Sequence, residues 1–277
     1  MPTNVKENGF ESSIVSWLVQ HNGYEQGSNA DYNKEIAMDE TRLFRFLNTT
    51  QADKMKQLRL ENDPLEKEKF LQRLDQSLHT NGVIDLLRKG FRYKHLVLDM
   101  FYVRPSPGNE TAAKLYAQNI FSVTRQLQYS RQNPLLALDV CLFLNGLPIA
   151  TMELKNQLTK QNAADAVKQY KDERTPDEVL FGFKRCIVHF AVDDNEVRMC
   201  TELKGQKSWF LPFNKGYNDG AGNPPNPDGI KTDYLWKEIL RKDDFSNIIE
   251  NYVQIICDED EETHKKSYKQ IFPVSYT

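Results

Sequence analysis

The stretch LDVCLFLNGLPIATMELKN, residues 138–156, decides how this chain folds. Two apolar runs, residues 135–144 and 147–154, flank Asn145-Gly146. Asn-Gly between such runs is the strongest short-range signal for a β-hairpin. Three ionisable residues interrupt or follow the apolar runs: Asp139, Glu153 and Lys155. A charge on a strand with apolar neighbours needs a partner or a metal ion.

Strand side chains alternate, so Glu153 and Lys155 point to one face. Whether Asp139 joins them depends on the turn. A two-residue loop at Asn145-Gly146 pairs 144 with 147, hence 139 with 152, and turns Asp139 away. A three-residue loop pairs 143 with 147 and 139 with 151. Asp139 and Glu153 are then diagonal neighbours about 7–8 Å apart at Cα. The expectation is the odd-length loop, or an equivalent bulge. Two carboxylates so placed suit Mg²⁺, a hard cation that takes oxygen ligands, and Lys155 can meet the charge that develops on a phosphate. The plain alternative is a solvent-facing strand with an ordinary Glu-x-Lys pair and a separate exposed Asp.

Outward from the hairpin, the N-terminal part reads as helices. Phe10, Ile14, Trp17 and Leu18 recur at helical spacing and stop at His21-Asn22-Gly23. Further helices are expected over about 39–47, 64–78 and 82–87. The period then changes, with strands expected at 95–103 and 119–129, and later at 185–192 and 196–203. Between these pairs lies a helix at about 162–174, opened by Asn162 with Asp165 in capping-box spacing and closed by Thr175-Pro176. Residues 214–229 read as a loop, and 233–241 and 245–256 as closing helices. Asp258-Glu259-Asp260-Glu261-Glu262 is an acidic run. This order predicts one α/β domain over 1–257, a mixed sheet flanked by helices with an N-terminal helical region, and an acidic linker over 258–277.

Composition narrows the function. The 277 residues carry a formal net charge of −3, so the chain does not present itself as a free-standing non-specific DNA binder. Cys141, Cys186, Cys200 and Cys257 are far apart and read as free thiols. The five histidines form no zinc pattern. No apolar run reaches the roughly 20 residues of a membrane span, and no signal peptide opens the chain, so a cytoplasmic, reduced setting is expected. No GxxxxGK[ST] phosphate loop occurs.

At the hairpin the sequence resembles the N-terminal nuclease domain of the motor (R) subunit of type I restriction enzymes. The resemblance rests on NIFSVTRQLQYS (119–130), LDVCLFLNGLPIATMELKN (138–156), DAVKQY (165–170), FLPFN (210–214) and GAGN (220–223), and spans roughly residues 8–256. It implies a restriction-endonuclease-like fold and a PD-(D/E)xK triad of Asp139, Glu153 and Lys155, with Asp139 and Glu153 holding Mg²⁺. Glu11 matches an acidic position that in such folds can lie near the metal; read by itself, it is a solvated helix residue. Many members carry Gln-x-x-x-Tyr on the helix after the triad. Here Ala166 stands four before Tyr170, leaving Gln169 and Tyr170 to serve DNA or, for Tyr170, the core.

The resemblance further implies double-stranded DNA as substrate, separate modification and specificity subunits as partners, and ATP used only by motor domains that this chain lacks. The chain ends at IFPVSYT (271–277), where the helicase part is expected to begin, as in an expressed fragment or a truncated frame. A local basic rim of Lys155, Lys160, Lys168, Lys171 and Arg174 then suffices for DNA, since phosphate contacts position the duplex without reading it. Two readings follow: a Mg²⁺-dependent endonuclease domain, or a catalytically silent docking module of the same fold.

Overall fold

The computed structural model describes residues 5–156, 160–259 and 266–273. The elements are α1 (Val5–Gln20), β1 (Glu25–Gln26), β2 (Tyr32–Asn33), β3 (Met38–Asp39), α2 (Glu40–Thr50), α3 (Ala52–Leu58), α4 (Pro64–Asn81), α5 (Val83–Lys89), β4 (Phe91–Tyr93), β5 (Leu96–Leu98) and α6 (Glu110–Tyr116). There follow β6 (Phe121–Gln128), β7 (Ala137–Leu144), β8 (Leu147–Leu154), α7 (Ala163–Glu173), β9 (Val188–Val192), β10 (Val197–Cys200), β11 (Leu211–Pro212), α8 (Lys242–Asn247), β12 (Gln254–Glu259) and β13 (Lys266–Ile271).

Seven strands form one sheet in the order β1-β6-β7-β8-β9-β10-β11. The β1–β6 and β8–β9 pairs are parallel, and the other neighbours are antiparallel. Alternation along β7 and β8 sorts their side chains onto two cores. Val140, Leu142 and Met152 join Ile14 and Leu18 of α1, Leu43 and Leu47 of α2, and Phe70 and Leu74 of α4. Cys141 and Phe143 instead meet Ala166 and Tyr170 of α7. Helices cover the sheet on both sides, and β8, apolar except for Thr151 and Glu153, is buried at every position.

Of the two devices expected, an odd-length loop or an equivalent bulge, the hairpin uses the bulge. Asn145 and Gly146 form a two-residue turn with both φ positive, +51° and +84°, and Leu144 pairs directly with Leu147. The register then shifts: Phe143 faces Pro148, but Leu142 faces Ala150. Ile149 is the extra residue of a β-bulge. Pro148 has no N–H to give to the ladder, which is where such an irregularity is tolerated. Beyond the bulge Cys141 faces Thr151 and Val140 faces Met152, so the register carries Asp139 to the place opposite Glu153. The bulge has the effect expected of the loop, by another device.

The turn itself is built into the body. Asn145 is buried; its Nδ2 donates to Met100 O and Asn119 Oδ1, and its Oδ1 accepts from Ile120 N. A Cβ on Gly146 would lie 2.4 Å from Asp39 O, so only glycine fits against the start of α2.

Elsewhere the helices expected at 39–47, 64–78 and 82–87 form slightly longer, and α7 carries the full Asn162–Asp165 capping box. The strand expected at 95–103 is reduced to β5, which pairs only with β4 in a separate small hairpin. The closing helices are short and partly π-helical, at Leu235–Ile239 and Ile248–Tyr252. The division expected at residue 257 cuts through β12, which pairs with β13. Gln270 of β13 donates to the carbonyls of Cys186 and Ile187, and Phe272 is buried in the main core. Residues 260–262 of the acidic run lie outside the described residues. Cys141, Cys186 and Cys200 are buried free thiols, and Cys257 is free and exposed.

Candidate active site

At the end of the hairpin far from its turn, strands β6, β7 and β8 bring acidic and amide groups together. Asp139 is half-buried. Its Oδ2 accepts from Leu154 N at 2.8 Å and its Oδ1 from Gln126 Nε2 at 3.2 Å. Gln126, with φ of +46° in mid-strand, also donates to Glu11 Oε2 at 2.9 Å. That left-handed conformation is uncommon for a non-glycine residue. It is braced by Asn29, whose side chain bonds both Gln126 O and Gln128 N.

Glu11 is not a solvated helix residue. It is buried at 4% exposure, and Arg125 Nε donates to its Oε1 at 2.5 Å. Gln126 therefore links Glu11 on α1 to Asp139 on β7.

Glu153 is fully buried. Arg174 Nε donates to its Oε1 at 2.6 Å, while its Oε2 is buried and accepts no hydrogen bond among the described residues. Burial, reinforced by the charge of Asp139, pushes the Glu153 carboxyl well above the usual range, and the Arg174 guanidinium partly answers this. Arg174 itself stays charged, its pKa raised by Glu153 and Tyr129 against the opposing effect of burial. Deleting one partner of such a buried pair costs about 3–5 kcal/mol. Lys155 is half-buried one pleat beyond Glu153, and its backbone N–H donates to Val192 O at 2.8 Å.

The sequence placed Arg174 on a basic rim, but only 2% of it is exposed. The signal was present: Ala166, Tyr170 and Arg174 recur every four residues on the buried stripe of α7. Gln126 had no such signal, since a positive φ inside a strand leaves no trace in composition.

Among the described residues, Gln169 and Tyr170 make no hydrogen bond to the acidic cluster. Tyr170 lies fully in the core, its hydroxyl 2.8 Å from Thr151 Oγ1, which in turn is 2.7 Å from His189 Nδ1. Burial lowers the His189 pKa to about 3, so the ring is neutral. Gln169 is half-buried, with an unpartnered Oε1.

Among the described residues, no group of three or more His, Cys, Asp or Glu side chains is arranged to hold a metal ion. Asp139 and Glu153 are, however, near enough for the charge of Asp139 to act on the Glu153 carboxyl, and one buried oxygen is unclaimed. That donor set fits a divalent cation that keeps part of its water shell. Among the same residues no helix is long and apolar enough to cross a membrane.

A mixed sheet flanked by helices, with an acidic pair and a Glu-x-Lys on its central hairpin, is a restriction-endonuclease-like fold. Residues 4–208 match the family described as type I restriction enzyme R protein N terminus, and the chain belongs to that family. The match includes α1, the acidic hairpin and α7, and stops short of residue 256, to which the resemblance read from the sequence extends. A search among curated proteins returned no match.

Proposed function

We propose that this chain is the Mg²⁺-dependent nuclease domain of a type I restriction complex, hydrolysing phosphodiester bonds of double-stranded DNA. The observation that carries the reading is the bulge at Ile149, whose register, continued one pair past Val140–Met152, brings Asp139 opposite Glu153 despite a two-residue turn. Asp139 and Glu153 would hold the ion, which supplies Lewis-acid polarisation of the scissile phosphate. Leu154 N–H and Gln126 fix the orientation of Asp139. Lys155, which directly follows β8, offsets negative charge growing on the phosphate oxygens. DNA delivery, sequence recognition and ATP hydrolysis fall to the motor domains and to the modification and specificity subunits, in the cytoplasm where such a complex meets DNA.

The second reading is the docking module. The observation that favours it is the pairing of Glu153 with Arg174, an internal cation already beside one of the two carboxylates.

Plasmid cleavage with Mg²⁺, by the chain assembled with its complex, separates the two. The nuclease reading expects Asp139→Ala and Lys155→Ala each to lower the cleavage rate at least ~100-fold, the scale for losing one transition-state-stabilising group. An Asp139→Ala complex that cuts like the wild type would sink it. A wild type that assembles but neither cuts nor binds Mn²⁺ is the docking module.

A further inference from the structure

We infer that Arg174 is a positioning residue that presents Glu153 to the divalent ion. The inference rests on the nuclease reading of Glu153 and adds a residue to it.

Arg174 stands at the C-cap of α7, where the chain leaves the helix with φ −98° and ψ 75°. From there its guanidinium reaches three separate partners in the sheet layer. Nε donates to Glu153 Oε1 at 2.6 Å, one terminal nitrogen to Tyr129 Oη at 2.9 Å, and the other to Ala137 O at 2.9 Å. Tyr129 directly follows β6, Ala137 opens β7 and Glu153 lies on β8, so one planar group ties the end of α7 to β7, to β8 and to the residue after β6. The guanidinium carbon also lies 5.2 Å from the centre of the Tyr129 ring.

A group needed only to balance the buried charge of Glu153 could meet both carboxylate oxygens. Arg174 instead engages Oε1 by Nε alone and spends its forked end on Tyr129, Ala137 and, at 3.4 Å, the exposed Glu173 carboxylate. Oε2 is left buried with no donor among the described residues. That arrangement fixes the Glu153 carboxylate while reserving one oxygen. Partners that orient a metal ligand usually change metal affinity by about 10–100-fold when removed. Lysine cannot substitute fully, because a single ammonium cannot span the three partners that a rigid guanidinium reaches.

The test is Mn²⁺ titration of the 277-residue chain by electron paramagnetic resonance. The proteins are the wild type, Asp139→Ala, Arg174→Lys, Arg174→Met and Tyr129→Phe, each checked for folding by circular dichroism. The wild type is expected to bind one ion that Asp139→Ala loses. Arg174→Lys and Arg174→Met should each raise its Kd by about 10–100-fold, and Tyr129→Phe by less. If Arg174→Met does not fold, Arg174→Lys and Tyr129→Phe carry the test. A folded Arg174→Lys protein with wild-type Mn²⁺ affinity overturns the positioning role and leaves the nuclease reading standing. A wild type with no Asp139-dependent ion overturns both.

Discussion

His189 is an acid-sensitive element in the middle of the sheet, and its effect on stability can be worked out. The ring sits on β9, fully buried, hydrogen-bonded through Thr151 to Tyr170, and burial lowers its pKa from 6.5 to about 3. The sign follows from proton counts. Between these two values the unfolded chain binds a proton that the folded protein refuses, so stability rises with pH and is lost as the pH falls. At pH 5 an exposed imidazole is almost wholly protonated while the buried one is not, a difference of about 2 kcal/mol relative to pH 7. The perturbation is His189→Gln, which keeps a polar partner for Thr151 but cannot titrate. The assay is urea unfolding of both proteins at pH 7, 6 and 5. The wild type should lose about 2 kcal/mol more than the variant between pH 7 and 5. Glu153, whose raised pKa acts in the opposite direction by taking up a proton in the folded state first, is present in both proteins and drops out of the comparison. Equal losses in the two proteins would refute the reasoning.

Gly146→Ala should lower unfolding stability by about 2–4 kcal/mol, since alanine must take a φ of +84° and push its Cβ against Asp39 O and Leu43; urea unfolding reads it directly. At Gln126 the usual ranking should invert. Glycine should be more stable than alanine by roughly 0.5–1 kcal/mol, because the left-handed strain in Gln126→Ala outweighs the chain entropy of Gln126→Gly, and a more stable alanine variant would contradict the strain. Tyr170→Phe should remove about 1 kcal/mol of stability through the lost Thr151 contact yet leave DNA affinity unchanged in anisotropy titrations; weakened DNA binding by a folded variant would restore Tyr170 to the DNA surface.

The parts of this fold legible in the sequence are those set by local chemistry. Asn145-Gly146 dictated a hairpin, Asn162 and Asp165 a helix start, and the apolar run at 147–154 its second strand. The acidic residues were legible as charges out of place. Their juxtaposition was legible only as a choice between an odd loop and a bulge, because register depends on Ile149, and the clue there was Pro148, a residue unable to complete a ladder. Arg174 follows the periodicity of α7 rather than its charge. At the C-cap its long side chain runs inward along the buried stripe to meet Glu153, a partner 21 residues away in sequence. Glu11 was judged from its helix alone, whereas its burial comes from Arg125 and Gln126, more than a hundred residues later. Residues 95–103 are as apolar as any strand, but what pairs with them is decided by tertiary neighbours, and only β5 found a partner.

The single extra residue in β8 makes the hairpin a parity counter. Asn145 and Gly146 are moored to the body, so the turn cannot slide to absorb a change in length. Adding or removing one residue between the turn and Glu153 should rotate the acid pair out of alignment, whereas a change of two should bring it back. A one-by-one insertion scan of this short segment would then read as alternation, with metal affinity lost at odd lengths and recovered at even ones. Such a site tolerates substitution along the strand far better than it tolerates a shift in reading its own length.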